Sequence, residues 1–222
     1  MDLDGLIAQF RREADDKVAP YLWSDEDVTA WLDEAEEEAA IRACLIRETA
    51  DPAICQVAVT AEQAGYTLHE KVLHVTHAQF QPTGDTARHK LNVVTREMLD
   101  KIDLRWRERA PGVPRYLVHE PDQAAVLVPP PALDGTLALE VQRLPLQSMD
   151  LTGAPEIGSA HHRHLVDWAL FKAFSKPDAE TIDKDRAVLA EGRFNAYFGL
   201  RRDAHLGRDH AADRPHHNTA IW

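Results

Sequence analysis

The stretch His161–His162–Arg163–His164 has the residue types that a metal centre would need. In a helix, His161 and His164 share a face, whereas His162 points about 100° away. Two imidazoles with this spacing can hold an ion, but a catalytic zinc needs a third protein ligand and an open position. The sequence contains no HExxH motif, and an almost wholly apolar segment begins at Leu165. We therefore predict no metal here and interpret the histidines as the polar first turn of a helix or as an interface contact.

Motifs for other reactions are missing from the sequence as well. It contains no GxSxG, no P-loop and no GxGxxG after a strand. The 37 acidic residues make chance carboxylate pairs abundant, so a two-carboxylate glycosidase stays an unsupported alternative. The segment RWRER at 105–109 could contact phosphate and stack on a base, although a solvated loop or a subunit contact is favoured. We predict no catalytic residue, no metal and no cofactor.

The composition favours a folded protein that carries no general nucleic-acid footprint. The chain has 222 residues, of which 44% are hydrophobic, and a formal net charge of −12. An acidic excess usually serves solubility, and it could also line a passage through which DNA slides. No apolar run approaches the ~20 residues of a membrane span, and the first residues do not resemble a secretory signal. From the lack of a signal we expect a protein made in the cytoplasm. Cys44 and Cys55 match neither a disulfide scaffold nor a zinc site, so we expect two free, partly buried thiols.

The first fifty residues have the pattern of two helices. Leu3, Leu6, Ile7 and Phe10 form one apolar stripe, and Pro20 prevents its continuation. Ser24 is a good N-cap for a second helix. The buried stripe of that helix is predicted to contain Val28, Trp31, Leu32, Ala35 and Ala39. The acidic run Glu34, Glu36, Glu37 and Glu38 falls mainly on the other faces, and we expect it to be solvated.

The middle of the chain changes to strand periodicity. From about residue 51, six or so short strands follow one another with turn residues between several of them. One short helix, with Thr95 as its N-cap, interrupts them. Strands without helical crossovers predict a small antiparallel sheet or sandwich, not a parallel α/β fold.

The chain becomes helical again after Pro155. Ser159 is a candidate N-cap for a helix at 160–174, and a further helix is expected to stop at Gly199. The layout predicts an α+β protein: a helical bundle from residues 1–50 and 147–200, with an inserted β lobe at 51–146. The predicted bundle core contains Phe10, Trp31, Leu32, Leu165, Trp168, Phe194 and Phe198.

The last residues, 201–222, are polar and have almost no periodic apolar face, yet they end in Ile221 and Trp222. Such a segment cannot bury itself, and we expect it to be an extended tail that a partner orders. The predicted partner-binding residues are Arg201, Arg202, His205, Leu206, Arg208, His216, His217, Ile221 and Trp222.

Five segments, in order, resemble the head-to-tail adaptor (connector) proteins of tailed phages. They are YLWSDEDVTAWLDEAEEEAAIRACLIRE, PRYLVH, LVPPP, LALEVQRLPL and HLVDWALFKAFSKPDAET. The likeness runs from about Leu6 to Gly199 and consists of apolar and cap residues, so it indicates a family and no chemistry.

The resemblance implies a non-enzymatic virion protein at the head-tail interface, assembled in the host cytoplasm. It implies a homo-oligomeric ring, usually of twelve subunits, that binds the portal protein above and tail or nozzle proteins below. Double-stranded DNA would pass through the lumen without sequence-specific contacts, and no membrane is involved. A C-terminal extension that reaches the portal would explain residues 201–222, for example by adding a strand to a sheet edge.

Two alternatives stay open at this point. One is a virion-associated cell-wall hydrolase that uses a carboxylate pair or a histidine-bound metal. The other is a head-completion or tail-tube subunit of an adjacent layer, with similar helices and a different partner.

Overall fold

The structure is a computed structural model that describes residues 1–119, 124–177 and 182–201. The helices are α1 (Leu3–Ala14), α2 (Asp25–Ala43), α3 (Pro52–Cys55), α4 (Arg96–Ile102), α5 (Met149–Thr152), α6 (His162–Ser175) and α7 (Lys184–Phe198), with a 3-10 turn at Trp106–Glu108. The strands are β1 (Ile46–Glu48), β2 (Gln56–Val59), β3 (Gly65–Tyr66), β4 (Val72–Pro82), β5 (His89–Val94), β6 (Tyr116–Val118), β7 (Ala125–Val128) and β8 (Gly135–Arg143). The predicted α+β class is confirmed.

The described residues fall into two compact units. The first contains Met1–Ile46 and Arg143–Arg201, and the second contains Arg47–Gln142. In the first unit α6 packs against α1, α2 and α7, so helices from both ends of the chain share one apolar core. Trp23, which lies just before α2, joins α1 and α6, because its indole meets the rings of Phe10 and Phe174 edge-on at 5.7 Å.

The helix boundaries follow from local capping chemistry. The Ser24 hydroxyl accepts a hydrogen bond from the Asp27 backbone nitrogen, as the sequence predicts, and Asp183 caps α7 in the same way through Arg186. Thr95 accepts from Met98 at the start of α4, which confirms that cap. Gly199 ends α7 with a φ of 85°, a left-handed value that glycine adopts without steric cost.

Two predictions about the first unit were wrong. The N-cap of α6 is His161, not Ser159, and the helix begins at His162. The acidic run of α2 is not wholly solvated, because Glu36 and Glu38 are buried. Their burial depends on partners more than a hundred residues away in sequence, which helical periodicity cannot reveal.

The second unit contains one mixed sheet with strand order β1-β8-β4-β5-β6-β7-β3, and β2 also pairs with β8. The pairs β2–β8, β3–β7, β4–β5 and β6–β7 are antiparallel, whereas β5 and β6 are parallel. The prediction of a purely antiparallel sheet was therefore wrong. The segment between β5 and β6 contains α4 and the 3-10 turn, and a connection of this length allows the chain to return to the same end of the sheet.

Within the described ranges, no helix combines the length and the apolar character that crossing a bilayer requires.

Candidate partner-binding surfaces

The three histidines of the HHRH stretch have different surroundings. His162 is buried, with its Nε2 atom 2.8 Å from the Ile157 carbonyl oxygen and its Nδ1 atom 2.8 Å from the Met1 carbonyl oxygen. His161 lies at the helix start, where its Nδ1 atom is 3.2 Å from the Tyr197 hydroxyl. His162 is thus a packing residue that ties the start of α6 to the preceding segment.

His164 belongs to a polar cluster between α6 and α7. Its ring stacks on Tyr197 with a centroid separation of 3.5 Å, and its Nδ1 atom is 3.9 Å from Asp167 Oδ2. Burial raises the pKa of the Asp167 carboxyl, while the Arg193 guanidinium, whose Nε lies 2.7 Å from Asp167 Oδ1, acts in the opposite direction. These groups surround a pocket of about 400 Å³ that Glu13 of α1 also lines.

Among residues 1–119, 124–177 and 182–201, no three or more His, Cys, Asp or Glu side chains are grouped so that they could hold one ion. The pair His161 and His164 instead contacts aromatic rings of α7.

Two carboxylates on the inner side of α2 hold the segment that leads into α6. Asp33 accepts from the Met149 backbone nitrogen at 2.7 Å, and Glu36 Oε1 accepts from the backbone nitrogens of Glu156 and Ile157 at 2.5 and 2.9 Å. Burial raises the pKa of both the Asp33 and the Glu36 carboxyls, and the backbone hydrogen bonds partly oppose this. Part of the acidic run of α2 is therefore structural.

A second buried group joins the end of α2 to the end of α7. The Arg42 guanidinium pairs with Glu38 at 2.9 Å and donates from Nη1 to Asn195 Oδ1 at 2.5 Å and to the Gly199 carbonyl oxygen at 3.0 Å. Glu38 Oε2 also lies 3.3 Å from Arg201 Nη1. Arg201, the last described residue, therefore lies against a buried ion pair of α2.

The RWRER segment folds around its central tryptophan. Trp106 is buried and donates from Nε1 to Asp100 Oδ1 at 2.7 Å, and Arg107 pairs with the same carboxylate at 2.6 Å. Arg109 pairs with Asp103, also at 2.6 Å. Trp106 is thus part of a core and is not available to stack on a base.

Most of the predicted partner-binding residues lie outside the described residues: Arg202, His205, Leu206, Arg208, His216, His217, Ile221 and Trp222. Arg201 is the one predicted contact inside them, and it is exposed. Of the predicted core residues, Trp31 is half-buried and packs against the rest, and the remaining six are buried: Phe10, Leu32, Leu165, Trp168, Phe194 and Phe198.

Sequence reasoning missed the buried polar groups of α2. Glu38 and Arg42 are four residues apart, a spacing that predicts an ion pair on a helix surface. The pattern gave no sign that the pair is buried against Asn195 and Gly199. For Glu36 the local sequence held no signal at all, since its partners are backbone groups of a distant segment.

The comparisons with known proteins identify a class of structural proteins of phage virions. The chain belongs to the SU10 adaptor protein family, whose family model matches residues 1–217. Among curated proteins, none matches the chain significantly.

Family membership confirms the resemblance to phage head-to-tail adaptors and gives the protein a structural role as a phage adaptor. It implies association with portal and tail components and a location in the virion. It also indicates a non-enzymatic protein.

Proposed function

We propose that this protein forms a ring of twelve copies beneath the portal, joins the capsid to the tail and continues the DNA channel. The observation that carries the proposal is the family match over residues 1–217. When each subunit contacts its two neighbours through two different surfaces, the assembly closes into a ring if the rotation per subunit divides a full turn.

The portal contact is made by residues 201–222. This segment has little apolar surface of its own, so a partner must supply the surface that orders it. Its contact residues are Arg201, Arg202, His205, Leu206, Arg208, His216, His217, Ile221 and Trp222, and tail or nozzle proteins bind at the opposite end of the ring. The Glu38–Arg42 pair supports this role, because it holds Arg201 at a defined place on the subunit.

DNA passes through the lumen without being held. The net charge of −12 supports this, because carboxylates repel phosphates and leave few counterion-releasing contacts. A channel of this kind lets DNA leave the head during ejection.

The experiment is to mix the purified protein with the portal protein of the same virion and to image the particles. We expect rings of this protein stacked on portal rings. A variant that lacks residues 202–222 but keeps Arg201 should fold with an unchanged circular-dichroism spectrum and fail to bind portal.

If the truncated protein binds portal as tightly as the full chain does, residues 202–222 do not make the portal contact. Full-length protein that neither binds portal nor tail components would overturn the adaptor role itself. Hydrolysis of peptidoglycan by the purified protein would favour the cell-wall hydrolase instead.

A further inference from the structure

A groove runs along the first unit between α1 and α7, with α6 as its floor. Two adjoining pockets of about 400 and 290 Å³ form it, and both are lined by Glu13 of α1 and Arg193 of α7. The floor of the second pocket is apolar, with Leu170 and Phe174 from α6. The two pockets together make one concave strip that is walled by helices on both sides.

Large apolar side chains of α7 stand exposed along this strip. Leu189 and Tyr197 are 61% and 43% exposed, and both line the pockets. One exposed apolar side chain is ordinary, but two along one groove provide the apolar contact surface that protein interfaces use.

The rim of the groove is cationic although the chain as a whole is acidic. Both carboxylates of the lining face Arg193: Asp167 at 2.7 Å and Glu13 at 3.8 Å. Two further arginines, Arg163 and Arg186, stand at the two pockets and are exposed.

Arg186 contacts both the floor and the opposite wall of the second pocket. Its guanidinium lies 4.0 Å from the ring centroid of Phe174, and it donates to the Glu13 carbonyl oxygen at 2.7 Å. An arginine beside an apolar floor suits a partner with carboxylates around a small apolar centre.

The outer face of α2 has that chemistry. Glu26, Ala30 and Glu37 follow at intervals of four and seven residues, so they form one ridge with an alanine between the acids. Glu26, Ala30 and Glu37 are exposed. Residues 1–46 contain thirteen acidic and four basic residues, which concentrates the negative charge of the chain on this part of it.

We propose that the groove of one copy binds the α2 ridge of a second copy. The groove is lined by α1, α6 and α7 and the ridge is on α2, so each copy would use two different surfaces. A contact between two different surfaces is heterologous, and repeating it generates a closed ring when the rotation per copy divides a full turn. This inference rests on the proposed ring and assigns the surfaces that build it.

The test reverses the charges of each surface separately. One variant carries Glu26→Lys and Glu37→Lys, and the other carries Arg163→Glu and Arg186→Glu. Each alone should raise the concentration needed for assembly at least about tenfold, since like charges then meet across the contact. Native mass spectrometry and light scattering measure the assembled mass, and circular dichroism checks the fold.

Mixing the two variants is the decisive step. The lysine ridge of one variant fits the glutamate groove of the other, and the unchanged ridge and groove still fit each other. Rings in which the two variants alternate should therefore form at a concentration at which neither variant assembles alone. A matched control, Glu62→Lys with Glu70→Lys, makes the same change of charge at exposed positions of the second unit and should assemble as the wild type does.

Three results would overturn the inference. If both reversed variants assemble like the wild type, the protein forms a ring, but the contact between subunits is not made by the α2 ridge and the groove. If the wild-type protein stays monomeric at every concentration tested, the self-contact is wrong, and the adaptor role is then judged separately by portal binding. Failure of the mixture to assemble, when each variant is folded, also counts against the pairing of these two surfaces.

Discussion

Glu36 Oε1 lies 2.9 Å from the backbone nitrogen of Ile157, and Glu36 is only 1% exposed. The same oxygen accepts from the Glu156 nitrogen. One carboxylate on α2 thus satisfies two consecutive backbone donors of the segment before α6, and it fixes where the chain re-enters the helical unit.

Replacing Glu36 separates the hydrogen bonds from the charge. Glu36→Ala leaves a buried backbone donor without a partner and should lower the free energy of unfolding by about 1–3 kcal/mol. Glu36→Gln keeps Oε1 as an acceptor, so at neutral pH it should stay within about 1 kcal/mol of the wild type or exceed it. Chemical denaturation at pH 7 measures both. A glutamine variant as unstable as the alanine variant would show that the negative charge itself is required.

The stability difference between Glu36→Gln and the wild type should increase as the pH rises. Burial raises the pKa of Glu36 in the folded state, so the folded protein binds this proton more tightly than the unfolded chain does. The contribution of this group to stability is therefore complete below the ordinary glutamate pKa and is lost as the pH rises through the raised one. The free energy of unfolding of Glu36→Gln minus that of the wild type should increase between about pH 4 and pH 7. A difference that is flat over this range, or that falls, would contradict the raised pKa.

Replacing Arg42 should lower the free energy of unfolding far more than replacing an exposed cation of the same unit. Arg42→Ala leaves Glu38 buried without its main partner and removes the donor to Gly199, and we expect a loss of about 3–5 kcal/mol. Lys172→Ala, which breaks the half-exposed pair with Glu34, should cost less than about 1 kcal/mol. Thermal and urea unfolding compare them. Equal effects of the two substitutions would mean that the Arg42 pair is no more than a surface contact.

Trp168 tests the shared core of the helices. Its ring lies 4.9 Å from Phe194 and 5.2 Å from Phe171, and Trp168→Ala should lower the free energy of unfolding by about 3–5 kcal/mol because it opens a cavity. Leu151→Ala removes an exposed apolar side chain and should stay within about 0.5 kcal/mol. Denaturant titration gives both values, and a Trp168→Ala loss below about 1 kcal/mol would be incompatible with this packing.

The histidines of the HHRH stretch should differ from one another. His162→Ala removes a buried ring that contacts two carbonyl oxygens and should cost about 1–3 kcal/mol, whereas His164→Gln should change stability by less than about 1 kcal/mol. Neither substitution should change metal content, which elemental analysis of the purified protein measures. Bound zinc that is lost with His161 and His164 would revive the metal interpretation.

Much of the local structure could be predicted because its causes are local. The Ser24 and Thr95 caps and the stop at Gly199 each depend on a few neighbouring residues, and all three are confirmed. The order of apolar and cap residues along the chain also carried the family resemblance, which the family match confirms. Periodicity and capping depend only on residues that are close together in the sequence, so the sequence by itself determines them.

Only the tertiary structure decided the placement of charges and the direction of one strand pair. Glu36 and Glu38 look like the rest of an acidic helix face, yet packing against residues 156–157 and 195–201 buries them. The same holds for β5 and β6, which run parallel because the intervening segment returns to the same end of the sheet. Contacts between residues distant in sequence leave no periodic trace, so burial of a charge and strand direction emerge only when the chain has folded.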